Sequence, residues 1–561
     1  MVISRFYRLV LFRFEPFSMK FPIVLWAVLS LAICAAPRAS PRADTILYNG
    51  KIFTGLDTNP IVAAIAITGP RVSMIGDVEH IRTLAGPKTK QIDLGGRTVI
   101  PGLNDAHMHL EVYPSDVVDL NLEAEDPTWP QVQSALTKGL AAYPTRSLIR
   151  VTIGPKCFLD SRARRESLDR LSAIRPIELL TDSGHGAILN SGALNVFHIR
   201  DDQQEPVGGT FQRGSDNKLS GVLLEYAVVR LKRDQAEMTS LEDALREIRA
   251  LLAEAARYGI TSLQDMSSDI APDKVIHYLT LAPTPIRVRV MRMPLTTPNG
   301  RDVKEGRNLD AHPNPLITVS GTKWMLDGTP VEREPETARQ AHETRIWPFP
   351  LTFPRAEITA MLSESLRHND QLMVHVSGSL ATHSMLDAME TSGGASVWSS
   401  RRIRFEHGDG LLPELIPRAK NLGVVVIINP SHLEVGERAT REQLARLKPF
   451  KSLIAAGIPV ALGSDGPLNP FLNIMLAASF PDRPSEGVTR EQALIAYTQT
   501  AAYAEFMEQE KGTLEPGKLA DIAVLSQDIF TVPAKQLADT RSVLTMVGGR
   551  VIYDDNKLKT N

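Results

Sequence analysis

Between residues 99 and 463, short apolar runs alternate with amphipathic stretches, and this alternation restricts the chain's fold more than any other feature. Val99-Ile-Pro-Gly-Leu, Thr261-Ser-Leu-Gln-Asp, Ile286-Arg-Val-Arg-Val, Ile317-Thr-Val-Ser-Gly-Thr-Lys-Trp, Leu372-Met-Val-His, Arg402-Ile-Arg-Phe-Glu-His, Val424-Val-Val-Ile-Ile and Pro459-Val-Ala-Leu all read as strands. Helical patterns separate most of them. The clearest begins at Leu241, with Leu241, Leu245, Ile248 and Leu252 near one face and Gly259 as its stop signal. Further helices are expected at Glu357–His368, Leu380–Thr391, Glu442–Ala455 and Glu491–Met507. Strands joined through helices lie parallel, and eight of them close a barrel. The fold class is therefore α/β.

The interval Glu111–Thr239 is too long for an ordinary connection between a strand and a helix. It carries strand-like runs of its own, Leu148-Ile-Arg-Val-Thr-Ile and Ile177-Glu-Leu-Leu, so residues 111–239 are expected to form a subdomain over the barrel mouth. Both chain ends have another texture. Thr45–Phe53, Val62–Ile67, Arg71–Gly76 and Lys90–Leu94 are short apolar runs broken by the turn signals Asn49-Gly50 and Gly95-Gly96. Ala520–Leu525, Ser542–Val547 and Arg550–Tyr553 repeat the pattern near the C-terminus. One small antiparallel sheet domain assembled from residues 43–98 and 509–561 protects more strand edge than two separate appendages. The barrel is then left with residues 99–508.

Residues 1–42 read as a targeting segment. Lys20 precedes the apolar stretch Phe21–Ala36, and small residues follow, the arrangement of a bacterial secretory signal. A periplasmic or secreted location is expected, with no stable membrane association once the signal is removed. With 62 basic and 64 acidic residues the formal charge is −2, which offers nothing to a nucleic acid. Two cysteines, Cys34 and Cys157, make no disulfide framework, and Cys157 reads as a buried thiol. A homo-oligomer is left open.

The chemistry-bearing residues are dispersed. Pro101-Gly-Leu-Asn-Asp-Ala-His-Met-His places His107 and His109 two residues apart just beyond an apolar run, so both imidazoles can face one ion. His375, His407 and Asp465 each stand at the C-terminal end of a later strand. Such ends meet on one face of a barrel, so these residues can build a mononuclear or binuclear metal site. Lys323, on the fourth central strand, repels a metal as an ammonium but presents an anionic oxygen as a carbamate. Asp327 either shapes the fourth loop or binds substrate. There is no Gly-rich phosphate loop, and Ser464 lacks a Gly-X-Ser-X-Gly elbow.

Tyr48-Asn-Gly-Lys-Ile, the His107 motif, Gly184-His-Gly-Ala-Ile-Leu-Asn-Ser-Gly-Ala-Leu, Lys323-Trp-Met-Leu-Asp-Gly, His375-Val-Ser-Gly, Phe405-Glu-His, Gly463-Ser-Asp-Gly-Pro and Gly512-Thr-Leu-Glu-Pro-Gly-Lys-Leu-Ala-Asp occur in that order. Over residues 43–561 the chain resembles the amidohydrolase superfamily, in particular its YtcJ-like branch. The resemblance implies a distorted TIM barrel with a composite β-sandwich and one or two divalent metals, zinc being preferred for nitrogen ligands. It implies His107, His109, a carboxylated Lys323, His375, His407 and Asp465 as the metal set, with Asp465 also the acid/base. One departure stands out: many relatives carry an acid where this chain has Ser379, and its loss weakens the support of His375.

The implied function is metal-dependent hydrolysis of a small amide or cyclic amide, a non-peptide carbon–nitrogen bond, through activated water. An esterase, a deaminase or a metal-retaining binding protein are the alternatives. His185 is expected as a catalytic group contacting the substrate carbonyl, Glu225 and Asp327 as substrate-binding groups, and Asn190 as a loop support. Asp265 is a candidate to support His107, and His432 could face substrate.

Overall fold

The structure, a computed structural model, describes residues 42–124, 126–144, 148–332, 349–432 and 445–560. The expected targeting segment and the start of the helix expected at Glu442–Ala455 lie outside the described residues. The central sheet has eight parallel strands in sequential order. These are β1 (Leu103–Met108), β2 (Ile260–Asp265), β3 (Arg287–Arg292), β4 (Ile317–Met325), β5 (Leu372–Val376), β6 (Arg404–His407), β7 (Val425–Ile428) and β8 (Val460–Leu462). The ladder is nearly closed. Between β8 and β1, the Ser464 N–H donates to Asp105 Oδ1 at 2.9 Å and the Asp465 N–H to the His107 carbonyl at 3.0 Å. Among the described residues, no helix is long and apolar enough to cross a membrane.

Apolar side chains from the strands and the surrounding helices share one core, including Ile248, Leu252, Trp324, Phe353, Phe405 and Tyr497. The helix Leu241–Tyr258 starts at the Ser240 cap and stops at Gly259 in the left-handed conformation. Its buried stripe is Ala244, Ile248, Leu252 and Ala255, while Leu241, the first helical residue, remains exposed. The single helix expected over Glu491–Met507 is two, Arg490–Ala496 and Gln499–Ala504, broken at Thr498 (φ −127°, ψ −84°). Fully buried Ala501, Ala502 and Ala504 on the second piece show that it is held by packing.

The run expected as the first barrel strand, Val99–Leu103, is divided between two sheets. Thr98–Pro101 pairs with Lys51–Ile52 and with Ile522–Val524 in the terminal sheet. The barrel strand begins only at Leu103. Gly102 makes the crossing, where a Cβ would meet Thr261 Oγ1 at 2.2 Å, so no side chain fits.

The terminal sheet has nine strands drawn from both ends of the chain. It is mixed where an antiparallel one was expected: Thr45–Phe53 pairs antiparallel with Ile61–Thr68 but parallel with Lys90–Asp93 and Thr98–Pro101. Asn49-Gly50 makes no hairpin. It is an irregularity inside Thr45–Phe53, with Asn49 at φ 57°, and the missing Gly50 side chain leaves room for Leu94, whose Cδ1 a Cβ would meet at 2.4 Å. Leu47, Ile52, Ile65, Ile67, Val524 and Leu544 form the enclosed core of this sandwich.

After β1 the chain builds a six-stranded sheet, in the order Gly209–Arg213, Leu219–Glu225, Gly186–Leu189, Ile177–Thr181, Leu148–Ile153 and Val117–Asp119. It has apolar clusters of its own on both faces. Cys157 is buried in one of them, and burial pushes its thiol up to about 12. Asn190 supports its loop as expected: it caps the helix Ser191–Val196, accepts from Ile177 N–H at 2.9 Å and donates to the Ser172 and Arg175 carbonyls. The helix Tyr226–Met238 returns the chain to the barrel.

Candidate metal centre

Strand alternation explains part of the site and two backbone departures explain the rest. Along β6, Arg404 and Glu406 share one face and Phe405 the other. Phe405 packs in the apolar layer, and Arg404 and Glu406 reach across the barrel to Gln264 and His107. Strict alternation would send His407 outward with Phe405. A positive φ of 68° at His407 ends the strand and places its ring 5.1 Å from that of His107 and 4.5 Å from that of His375. Asp465, at φ 39°, stands in the same unfavourable region just past β8. Non-glycine residues held this way concentrate at functional sites.

The Asp465 carboxylate is the focus. One oxygen lies 3.7 Å from His107 Nε2 and 3.7 Å from His407 Nδ1; the other lies 3.4 Å from His109 Nε2. Donor atoms of His107, His407 and Asp465 all fall within 4.8 Å of one another. Donors about 2.1 Å from one tetrahedral ion lie roughly 3.4 Å apart, so these separations suit a shared cation. Lys323 Nζ approaches His107 Nε2 to 3.4 Å. His375 Nε2 is buried without a hydrogen-bond partner and lies 3.6 Å from Asp327 Oδ1. A buried orphan nitrogen beside a nitrogen- and oxygen-rich cluster fits a ligand position.

Electrostatics favour the free-base imidazoles that a metal requires. Burial, then the Lys323 charge, holds His107 well below its ordinary value. Burial and the neighbouring histidines do the same to His407 and His375, and burial takes His109 down to about 4. Burial alone would raise Asp465; the surrounding imidazoles, His107 foremost, and Lys323 hold it below the carboxylate range. Lys323 is nearly inaccessible, and burial brings its amine down to about 8.

Two carboxylates missed in the sequence organise these rings. Glu406 Oε2 lies 2.6 Å from His107 Nδ1, and both its oxygens also accept from Arg404 at 2.7 and 3.1 Å. Arg404 in turn donates to Gln264 and to the Ala106 carbonyl. An ionised acceptor on Nδ1 makes that nitrogen the donor and leaves the Nε2 lone pair toward Asp465. The alternation of Arg404 and Glu406 was the available signal. Asp269, reached from His109 through Ser268, had none, because it depends on how the loop after β2 folds. Asp265 does not support His107 at all: its oxygens accept from Leu110 N–H and Ser267 Oγ.

The insert supplies the other wall. His185 Nδ1 lies 2.7 Å from Glu225 Oε2, and its ring stands 4.8 Å from that of His375. Burial opposes a charge on His185, but the Glu225 charge and hydrogen bond outweigh it and raise His185 above its ordinary value. Glu225 is nearly buried and sits at φ 53°, immediately before the helix Tyr226–Met238, so it acts through His185 more readily than on a substrate. Glu332 closes this group, bonded by Ser183 and Thr329. His432, half exposed, has Nε2 2.8 Å from the Asp465 carbonyl.

Asp327 corrects one expectation and answers another. It is fully buried, and its oxygens accept from Ser377 N–H at 2.9 Å and Gly378 N–H at 2.6 Å, so it offers a substrate nothing. It does put a carboxyl beside His375, in the turn where Ser379 lacks one. Burial raises Asp327 to about 8. Ser379 is the first residue of the next helix and its buried Oγ has no partner. A carboxyl beside His375 comes instead from Asp327, two residues past the end of β4.

Comparison with known proteins agrees with this geometry. The chain is 27% identical over 560 residues to the protein LONG AFTER FAR-RED 3 of Arabidopsis thaliana, covering 92% of this chain and 93% of that one. It is 24% identical to an N-substituted formamide deformylase of Arthrobacter pascens, covering 91% and 98%, and 23% identical to the putative amidohydrolase YtcJ of Bacillus subtilis, covering 91% and 99%. The crystal structure of an uncharacterized metal-dependent hydrolase from Pyrococcus horikoshii shares the fold, with a TM-score of 0.64 at 20% identity over 88% of this chain and 99% of that one. The model of the amidohydrolase family matches residues 90–553. With a nearly closed parallel barrel gathering histidines and an aspartate at its mouth, the chain belongs to the amidohydrolase family.

Proposed function

We propose that this protein hydrolyses a carbon–nitrogen bond in a small non-peptide amide at the cluster around Asp465. The observation that carries the reading is the convergence of His107, His407 and Asp465 donor atoms within 4.8 Å, with His109 3.4 Å from the same carboxylate. The nitrogen-rich donor set favours zinc, held by His107, His109, His375, His407 and Asp465; a divalent cation there supplies Lewis acidity and makes water acidic enough to react near neutral pH. We infer that Lys323 completes the set as a carbamate: its neutral amine adds carbon dioxide and releases a proton, replacing a cation near His107 with an anionic oxygen.

The remaining work falls to the protein's own groups. The Asp465 carboxylate accepts the proton of the attacking water and returns it to the leaving nitrogen. Its anionic state and fixed backbone keep it ready for that transfer. His185, oriented through Nδ1 by Glu225, donates a hydrogen bond to the carbonyl oxygen as negative charge develops there. Asp327 fixes the Ser377-Gly378 turn, and with it His375. The Arthrobacter relative, named for deformylating N-substituted formamides, supports an amide substrate.

The test is turnover of a matched panel by the zinc-loaded chain: N-substituted formamides and cyclic amides, their ester counterparts, and amino-heterocycles. Amide cleavage is the expected outcome. Ester release, or ammonia release from the heterocycles, without amide cleavage would overturn the assignment. We also propose export to the periplasm, supported by Lys20 and the apolar run after it; recovery of the whole pool in the cytoplasmic fraction would refute that.

A further inference from the structure

We infer that the insert sets the metal-binding form of His109 through a one-way chain of hydrogen bonds, Lys232 to Asp269 to Ser268 to His109, with Lys232, Asp269 and Ser268 as positioning residues. The inference rests on the reading of His109 as a metal ligand.

Ser268 Oγ lies 2.6 Å from His109 Nδ1 and donates its own proton to Asp269 Oδ1. Lys232 Nζ donates to the other Asp269 oxygen at 3.0 Å, and both partners are largely buried. Glu111 also shares a hydrogen bond with Asp269, and Tyr113 donates to Glu111 at 3.0 Å. A serine hydroxyl has one proton. Once that proton points to the Asp269 carboxylate, Ser268 can only accept from His109. Nδ1 then carries the imidazole hydrogen and Nε2, the nitrogen 3.4 Å from Asp465, keeps its lone pair. The direction of the chain is set by Lys232, which has only protons to give, and it ends at the ligand atom.

Geometry ties this chain to the insert. Lys232 and Arg233 are neighbours on the helix Tyr226–Met238. Arg233 grips the loop after β2, donating to the Ser268 carbonyl at 2.6 Å and the Ser267 carbonyl at 2.7 Å, and ties it to the Met293 carbonyl just past β3 at 2.9 Å. Ser267 sits at φ 45°, a conformation that needs such restraint. The Lys232 ammonium also runs beneath the turn before His185: a Cβ on Gly184 would meet Nζ at 2.9 Å. One helix therefore touches the supports of both His109 and His185.

The decisive variant is Asp269→Asn. Its carbonyl stays with Lys232, which can only donate, so its amide donates to Ser268. The Ser268 proton then swings to His109 Nδ1, and the imidazole hydrogen moves to Nε2, where it blocks ligation. The isosteric swap in a serine protease triad spoils a histidine by the same logic. Ser268→Ala removes a partner without reversing anything. Nitrogen chemical shifts of His109 in the metal-free full chain should show the Nδ1–H form in the parent and the Nε2–H form in Asp269→Asn. Zinc affinity by chelator competition should fall about 10–100-fold in Asp269→Asn and less in Ser268→Ala. Lys232→Met should weaken zinc and Lys232→Arg restore it, a comparison that stands even if Asp269→Asn misfolds. An Nε2–H form in the parent, equal affinities for the two lysine variants, or a larger loss in Ser268→Ala than in a folded Asp269→Asn would overturn the inference. If His107→Ala and His407→Ala also leave zinc binding intact, the metal-site reading falls with it; if they abolish binding, the inference alone fails.

Discussion

Glu406 shows how much a single buried carboxylate decides. It and Arg404 are both fully inaccessible, and Glu406 orients His107. Glu406→Gln should leave the Arg404 guanidinium without its counter-charge and cost about 3–5 kcal/mol. A fall in the urea midpoint, with weaker zinc binding in chelator competition, is the expected result. His185→Gln makes the opposite prediction: kcat/KM should drop about 100–1000-fold, as for loss of an oxyanion donor, with metal content unchanged. The residues that were legible in the sequence, His107, His109, His375, His407 and Asp465, share a simple property. Each is chemically conspicuous and lies at or just past the end of a readable strand, so topology brings them to one face, while the positive φ of His407 and Asp465 turns those two toward the others. Of the two roles open to Asp327 in the sequence, its inward hydrogen bonds to Ser377 and Gly378 favour the one that shapes a loop. Nothing in the sequence marks Ser268 or Asp269, whose roles arise from a loop conformation.

Elements were legible where period and length agreed. β2 to β8 fall within a few residues of their expected positions because fully buried strands leave near-continuous apolar runs. The failures have local causes. Val99–Leu103 is one apolar run serving two sheets, since Gly102 lets the chain cross without interrupting it. Asn49-Gly50, a strong turn signal in isolation, became an irregularity where Thr45–Phe53 changes parallel partner, from Lys90–Asp93 along Thr45–Tyr48 to Thr98–Val99 along Lys51–Ile52. The start of β5 depends on Asp370, which accepts from Arg292 at 2.7 Å, Arg307 at 2.9 Å, Gly321 N–H at 2.8 Å and Thr322 Oγ1 at 2.7 Å, and so ties β3, β4 and β5. Burial works against its charge, yet Arg292, Thr322 and Arg307 hold it below the ordinary carboxylate value. A lowered folded value stabilises the protein above the unfolded pKa of about 3.9, and that contribution is lost as pH falls through the folded value. Asp370→Asn should therefore cost about 3–5 kcal/mol of stability at pH 7, read as a lower urea midpoint, and the gap to the parent should shrink as the pH is taken below about 4.

At the scale of the molecule, the cluster joins residues from β1, β4, β5 and β6 and from the segment after β8. A cation bound there braces the seam between β8 and β1, where the strand ladder is interrupted. Ligand linkage gives about 4 kcal/mol when free metal exceeds its dissociation constant a thousandfold. A chelator should lower the thermal midpoint of the parent, and His407→Ala should abolish the difference. The barrel, the insert and the chain ends each carry a separate ladder of strands, but how the strands of the two chain ends interlock was not readable from the sequence. Thr98–Pro101 illustrates this, with one neighbour from residues 51–52 and the other from 522–524. During synthesis, that neighbour leaves the ribosome more than four hundred residues after the first. Until then the half-built sandwich has an open edge, and any early stop codon before residue 522 yields a chain whose β edge is free to pair with its copies.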